Sequence, residues 1–385
     1  MVNGFEFATA ARVIFGGGRL RELPALAAEF GGRTLLVTGR NSRHADKILP
    51  ALHAQNIATV SFAVATEPTI ALAQSGAELA RRENCQLVIA LGGGSVIDAG
   101  KAIAALATNH GDPLDYLEVI GRALPLVHAP LPFIAVPTTA GTGAEATRNA
   151  VLHSPEQRVK VSLRSPLMLP RIALVDPELT RDLPPALTAS TGLDALTQLI
   201  EPFVSKRANP MTDALCRESL PRAARSLRRA FDHGDDMAAR TDLALASLHG
   251  GMALANAGLG AVHGFAAPIG GMFTAPHGAV CAALLAEVMY CNLETARREN
   301  VTATLHRYEE VARLLTGTMT ATAQDGVTWV RELCGHLQIP RLAAFGLTRT
   351  DFAAVANKAQ QSSSMKGNPL ALTTEQLVDV LERAF

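Results

Sequence analysis

Asp194, His263 and His277 are the residues of this chain whose types most directly suggest chemistry. In Thr191-Gly-Leu-Asp-Ala-Leu-Thr-Gln198, Asp194 and Gln198 stand four apart, on one face of an expected helix. His263 closes Leu259-Gly-Ala-Val-His263, and His277 closes Ala275-Pro-His277, so each histidine adjoins glycine- or proline-containing chain. A carboxylate and two imidazoles are ordinary ligands for a divalent ion, and three protein ligands plus an open position is the pattern of a catalytic metal. Such an ion would polarise a carbonyl or stabilise an alkoxide. Each residue alone also has a plain structural explanation, as a satisfied core histidine or a helix-capping aspartate.

A second feature is Ala90-Leu-Gly-Gly-Gly-Ser-Val-Ile-Asp-Ala-Gly-Lys101. It follows the apolar run Leu87–Leu91 and opens a helix expected over Val96–Leu106. Glycines let backbone approach an anion, and free N–H groups at a helix start point at it. The spacing is neither the Walker loop nor G-x-G-x-x-G. A bare glycine run is usually just a loop. The order strand, glycines, Ser95, Asp98, Lys101 is far more specific.

The elements that must position these residues fall into two kinds. Thr34–Thr38, Thr59–Ala65, Leu87–Leu91, Phe133–Val136 and Ile172–Val175 read as strands, with helices over Ala45–Gln55 and Thr69–Asn84. Alternating strands and helices imply an α/β domain with a parallel sheet and helices on both faces. Ligands in such sheets bind beyond the C-terminal strand ends, where Gly39, Gly92–Ser95 and Pro137–Gly143 fall. After Val175-Asp-Pro-Glu178 strand-like runs stop, and helical spacing continues through Met211–Phe231, Met237–Ala257, Glu309–Leu315 and Thr373–Ala384. The expected division is an α/β nucleotide-binding domain over 1–178 and an all-α metal and substrate domain over 179–385.

Among 385 residues, 35 Lys+Arg balance 35 Asp+Glu, which gives no reason to expect nucleic acid or an acidic membrane surface. No basic N-terminal segment leads into an apolar stretch, and no apolar run reaches membrane-span length free of Gly, Pro or charge. The five cysteines are scattered without a C-x-x-C, the pattern of reduced thiols in a cytoplasmic protein. The expected partner is a small-molecule substrate, with no nucleic acid and no membrane; a homo-oligomer, in the form of a dimer, is the expected assembly.

Gly92-Gly-Gly-Ser-Val-Ile-Asp98 with Lys101, Pro137-Thr-Thr-Ala-Gly-Thr-Gly143 with Glu145, Val175-Asp-Pro-Glu178, Gly192-Leu-Asp-Ala195 and the block His263–His277 together resemble the iron-containing (group III) alcohol dehydrogenase family. The motifs run in the family's order over nearly the whole chain. The resemblance implies a nucleotide-binding α/β domain followed by a helical domain, with metal and nicotinamide in the cleft between them. It implies an enzyme that interconverts alcohols with aldehydes or ketones by hydride transfer, using NAD or NADP and one divalent metal, Fe or Zn. Gly93, Gly94, Ser95 and Asp98 then belong to the pyrophosphate and nicotinamide site. Thr138, Thr139, Thr142 and Thr147 match positions that line the cofactor, and Lys160 matches a lysine near its ribose or phosphate. Asp194, His263 and His277 match three metal ligands, which also makes them the catalytic set.

Two positions depart from the family pattern. Gln198 stands where a further histidine ligand is usual, and a neutral amide oxygen is a weaker donor than imidazole for a late transition metal. Ala267 stands where many relatives carry a proton-relaying histidine, so the proton must travel through water or the cofactor ribose. Three readings stay open. Asp194, His263 and His277 suffice, as in the glycerol dehydrogenase branch; or Gln198 completes a weak four-ligand site; or the metal is absent, leaving a metal-free reductase or a nucleotide-binding relative without catalysis. The first strand ends Thr38-Gly-Arg-Asn41 without a carboxylate. Gly39 leaves room there and Arg40 can pair with a 2′-phosphate, which favours NADP, unless Arg40 is simply a solvated loop residue. Phe265, Met272, Phe273 and Met168 are candidates either for an apolar substrate wall or for core. Arg148 and Lys366 are candidates for holding an acidic substrate, as in maleylacetate reductases, or for surface ion pairs.

Overall fold

The computed structural model describes residues 4–40 and 43–385. Asn41, part of the strand-end stretch considered above, lies outside the described residues.

The chain forms two compact units. One comprises Thr9–Thr139 and Gly143–Arg181; the other comprises Asp182–Phe385, together with Ala140–Thr142 and the segment ending at Ala8. In the first, strands β1 (Arg12–Phe15), β2 (Arg33–Gly39), β3 (Ala58–Val64), β4 (Leu87–Gly92), β5 (Phe133–Pro137) and β8 (Ile172–Val175) form one sheet in the order β1-β8-β5-β4-β2-β3. Every pairing in it is parallel. A hairpin of β6 (Asn149–Ser154) and β7 (Val159–Arg164) stands apart as an antiparallel pair. The hairpin and the short β1 lie outside the sequence expectation; the other five strands and the parallel sheet match it.

Residues of the central strands alternate between two hydrophobic clusters. Leu35, Val37, Val88, Ala90 and Ala135 face helices α3 (Ile70–Arg82) and α4 (Gly94–Thr108). Leu36, Leu87, Ile89, Leu91, Ile134 and Val136 face α1 (Leu23–Ala28) and α2 (Arg43–Ala54). Strands covered on both faces have no solvent side, so they are apolar at every position rather than every second one. Gly100 lets α4 press onto the sheet, since a Cβ there would lie 2.8 Å from both Ala90 and Phe133. The chain leaves β2 toward β3 on one side and returns past it to β4 on the other. The crevice where a ligand is expected therefore lies at the carboxyl ends of β2 and β4.

The second unit is helical: α5 (Pro185–Val204), α6 (Pro210–Asp232), α7 (Met237–Ala257), α8 (Ala261–Met272), α9 (His277–Arg298), α10 (Thr302–Thr316), α11 (Ala323–His336), α12 (Phe352–Gln361) and α13 (Thr374–Ala384). One extended apolar core joins them. Helix α9 is long and apolar enough to cross a membrane by length and composition, yet 83% of its apolar window is buried, as for a core helix.

Candidate metal centre and nucleotide turn

Three helices build the cluster in the helical unit. Asp194, Gln198 and Glu201 lie at i, i+4 and i+7 along α5, so they share one face. His263 sits in the first turn of α8, after Gly260, and His277 is the first residue of α9, after Pro276. What reads in sequence as glycine- and proline-marked chain is therefore a pair of helix starts. Gly278 sets the spacing between α9 and α5, because a Cβ there would come within 2.4 Å of the Ser190 carbonyl oxygen. Any larger residue would push His277 away from Asp194.

His263 Nε2 lies 3.3 Å, and His277 Nε2 3.7 Å, from Asp194 Oδ1. Cys281, one turn beyond His277, places its Sγ 3.7 Å from His277 Nε2. The donor atoms of Asp194, His263, His277 and Cys281 all lie within 4.8 Å of one another. Cys281 is a residue that sequence reasoning missed. Its signal was the four-residue spacing from His277 on one helix, invisible when cysteines are compared only with each other.

Burial alone would raise the Asp194 carboxyl, but the imidazoles of His277 and His263 and the amide of Gln198 hold it below the usual carboxylate range. Burial would lower His263, yet Cys281, Glu201 and Asp194 carry it well above its usual value, and His277 is raised by Cys281 and Asp194 in the same way. The Cys281 thiol, which burial would push up, is drawn down by His277 and His263. Acidic donors drawn toward their ionised forms beside two imidazoles are a charge pattern that also suits a divalent cation in place of the imidazole protons.

Five buried side-chain polar atoms among the described residues lack a hydrogen-bond partner, and three of them belong here: Asp194 Oδ1, Gln198 Oε1 and His263 Nε2. The 3.3 Å approach of Asp194 and His263 does not have hydrogen-bond geometry. Buried polar atoms are rarely left unpaired without a reason, because each costs about 1–3 kcal/mol. The other face of His263 is fully engaged: Nδ1–H donates to Glu201 Oε2 (2.6 Å), and Glu201 Oε1 accepts from the Val262 N–H (2.7 Å). A carboxylate can only accept, so it fixes the proton on Nδ1 and leaves Nε2 directed at the cluster. Donor types, unpaired atoms and supporting carboxylate all fit a bound metal ion.

In the α/β unit the glycine turn lies at the carboxyl end of β4. The Gly93 carbonyl accepts from the Val96 and Ile97 N–H groups, so α4 starts directly after the glycines. Gly93 offers no side-chain cap, which leaves the N–H groups of Gly94 and Ser95 in a first turn suited to a phosphate. Thr138 N–H donates to the Gly92 carbonyl (3.0 Å), and a Cβ on Gly93 would lie 3.3 Å from Thr139 Cγ2. Gly93, Ser95, Thr138 and Thr139 are thus neighbours. Gly39 ends the adjacent strand β2 and Arg40 is exposed beside it.

The remaining candidates sit differently. Thr147 is buried, its hydroxyl accepting from Lys101 Nζ (2.8 Å) and donating to the Ala144 carbonyl (3.2 Å). Asp98 accepts the Val151 N–H (3.1 Å) and pairs with Lys101 (3.2 Å). Lys101 itself is turned inward, also donating to the Ala144 and Asn149 carbonyls, so it braces the turn rather than facing a phosphate. Lys160, on β7, is ion-paired with Glu67 (2.6 Å). Thr142 lies in the stretch grouped with the helical unit. Phe265 and Met168 are core residues, and Lys366 is exposed.

An α/β unit with a glycine turn suited to a phosphate and a helical unit with a buried cluster of metal-type donors are the features of a metal-dependent, nucleotide-linked enzyme. Residues 10–177 match the family described as iron-containing alcohol dehydrogenase, and residues 188–385 match the C-terminal family of Fe-containing alcohol dehydrogenases. The chain is 35% identical over 369 residues to 1,3-propanediol dehydrogenase of Klebsiella pneumoniae, covering 92% of each sequence. The crystal structure of a 1,3-propanediol oxidoreductase superposes with a TM-score of 0.92 at 33% identity, covering 100% of both chains. Sulfoacetaldehyde reductase from Bifidobacterium kashiwanohense, in complex with NAD+, gives a TM-score of 0.87 at 27% identity over 99% of both chains. The chain belongs to the iron-containing alcohol dehydrogenase family. It is a metal-dependent, NAD(P)-linked oxidoreductase acting on small alcohols and aldehydes.

Proposed function

We propose that the chain interconverts a short aliphatic alcohol or diol with its aldehyde, that NADP is its preferred nucleotide, and that Asp194, His263 and His277 hold the metal. The unpaired, buried Asp194 Oδ1 and His263 Nε2 carry the metal assignment. When bound, the ion polarises the substrate oxygen and the nicotinamide supplies or accepts the hydride. Residues 1–178 hold the nucleotide in this reading: the Gly94 and Ser95 N–H groups take the pyrophosphate, and the Thr138 and Thr139 hydroxyls orient the adjoining ribose and nicotinamide. Asp98 and Thr147 keep that turn in place through Lys101. Residues 179–385 hold the metal and the substrate. Glu201 holds a proton on His263 Nδ1 and so directs Nε2 at the metal, and Gln198 helps hold Asp194 ionised. With Ala267 in place of an imidazole, water or the nucleotide ribose moves the substrate proton. Support for the substrate class comes from 1,3-propanediol dehydrogenase, a relative over 92% of the chain. Support for NADP comes from exposed Arg40 and from the sequence Thr38-Gly-Arg-Asn41, which carries no carboxylate.

His277→Ala tests the assignment. Turnover with a panel of short aldehydes should fall by about a thousandfold or more, roughly 4 kcal/mol of transition-state stabilisation. Fluorescence titration should show nucleotide binding retained in that variant, with NADPH bound more tightly than NADH. Full activity in His277→Ala overturns the metal assignment, and tighter binding of NADH overturns the role of Arg40.

A further inference from the structure

We infer that Cys281 is a ligand of the metal, supplying as a thiolate the donor that the neutral amide of Gln198 replaces poorly. The inference rests on the metal-dependent reading above and extends it to a residue type and position outside the Asp194, His263 and His277 set. Cys281 is fully buried in α9, one turn after His277, so the two side chains leave the helix on the same face. Its Sγ joins the three other donors within 4.8 Å.

The spacings suit tetrahedral coordination. Nitrogen and oxygen donors at about 2.0–2.1 Å from such an ion lie about 3.3–3.4 Å apart, and a sulfur–nitrogen pair about 3.5–3.6 Å apart. The observed separations are 3.3 Å for Asp194–His263, 3.7 Å for Asp194–His277 and 3.7 Å for His277–Cys281. None of these three needs to change by more than a few tenths of an ångström, and the remaining donor pairs lie within 4.8 Å. The unpaired Asp194 Oδ1 and His263 Nε2, in residues 2% and 6% exposed, point independently to a ligand at this place.

Gln198 has a different part. Its amide favours the ionised form of Asp194, and as a direct donor it offers a neutral oxygen. Thiolate is softer and anionic, and a set of one carboxylate, two imidazoles and one thiolate favours zinc over iron(II).

Cobalt(II) loaded into the metal-stripped full chain reads the ligand directly, without reference to turnover. Wild type should show a near-ultraviolet thiolate-to-cobalt charge-transfer band. Cys281→Ser should lose that band while keeping ligand-field absorption, and Gln198→Ala should retain it. Zinc affinity of Cys281→Ser should fall by at least about a hundredfold, as loss of a direct ligand exceeds the usual cost of losing a supporting residue. X-ray absorption at the zinc edge of the unmodified protein should show a sulfur scatterer at about 2.3 Å, a result independent of how any variant folds. Bound metal with only nitrogen and oxygen neighbours, or a charge-transfer band that survives Cys281→Ser, overturns the role of Cys281 and leaves the metal reading standing. Failure of wild type to retain any divalent ion overturns the metal reading itself.

Discussion

Lys101 and Asp194 are both charged, both nearly excluded from water, and both central to a buried polar cluster, yet their surroundings follow opposite rules. Lys101 reaches the Ala144 and Asn149 carbonyls, the Thr147 hydroxyl and the Asp98 carboxylate, which gives its three protons more acceptors than they need. Asp194 stands beside two imidazoles and a thiol and still leaves Oδ1 unpaired, as do His263 Nε2 and Gln198 Oε1. The first cluster is complete within the protein. It ties α4 to the segment from Ala144 to Asn149 and so braces the helix that follows the glycine turn. The second leaves donor atoms open that together suit a cation. Burial and charge alone do not distinguish structural from ligand-binding clusters. The state of the last hydrogen bond does.

If the Lys101 cluster is purely a brace, breaking it should cost folding stability before anything else. Lys101→Met removes the ammonium and takes one donor from the Asp98 carboxylate and from each carbonyl that it meets. Chemical denaturation should show a loss of about 3–5 kcal/mol, the usual cost of removing one partner from a buried charged pair. Nucleotide affinity of the fraction that remains folded should change less than stability does. A variant as stable as wild type, but unable to bind nucleotide, would place Lys101 at the phosphate and erase the contrast.

Glu145 sharpens the same comparison through pH. Burial, opposed in part by its backbone hydrogen bond and by Lys101, pushes its carboxyl from an ordinary 4.5 up to about 7. Between those values the folded chain holds a proton that the unfolded chain has released. This contribution to stability is therefore complete below about pH 4.5 and disappears as pH rises toward 7. At full strength it approaches about 3 kcal/mol. Glu145→Gln should flatten the fall in unfolding free energy between about pH 5 and 7, measured by denaturant titration at several pH values. An unchanged slope would mean that Glu145 is ionised throughout, as a direct partner of Lys101.

The two clusters were unequally legible in the sequence. The glycine turn is contiguous: one stretch from Leu87 to Lys101 contains the buried strand, the turn and the helix start. The strands behind it announce themselves because covering both faces makes them apolar at every position. Asn149–Ser154 gave little signal, since its alternating buried positions are Ala150, Leu152 and Ser154 and only one is large and apolar. Val159, Val161 and Leu163 do alternate, so the partner strand was readable, whereas Arg12–Phe15 is too short and too exposed to stand out. The metal cluster draws on three helices: residue type alone put Asp194, His263 and His277 forward as a possible set, and the family resemblance matched them to ligand positions. Cys281 and Glu201 remained hidden. The first was a histidine–cysteine spacing on one helix, and the second a carboxylate seven residues from Asp194 whose role depends on where α8 begins.

Glu201 gives the smallest and most discriminating effect. It belongs to the incomplete cluster, yet its own oxygens are both satisfied, by His263 Nδ1–H and the Val262 N–H. It is therefore a closed element supporting an open one. Glu201→Gln keeps the volume and an acceptor but removes the charge that makes the His263 imidazole a stronger donor toward a cation. Metal affinity, measured by competition with a chelator of known strength, should fall by about 10–100-fold, as for other carboxylates that support a histidine ligand. Turnover at saturating metal should fall much less, and unfolding free energy of the metal-stripped protein should change by less than that of Lys101→Met. If metal affinity is unchanged and only stability drops, Glu201 is a brace of the Lys101 kind, and the division between the two clusters would have to be drawn inside α5.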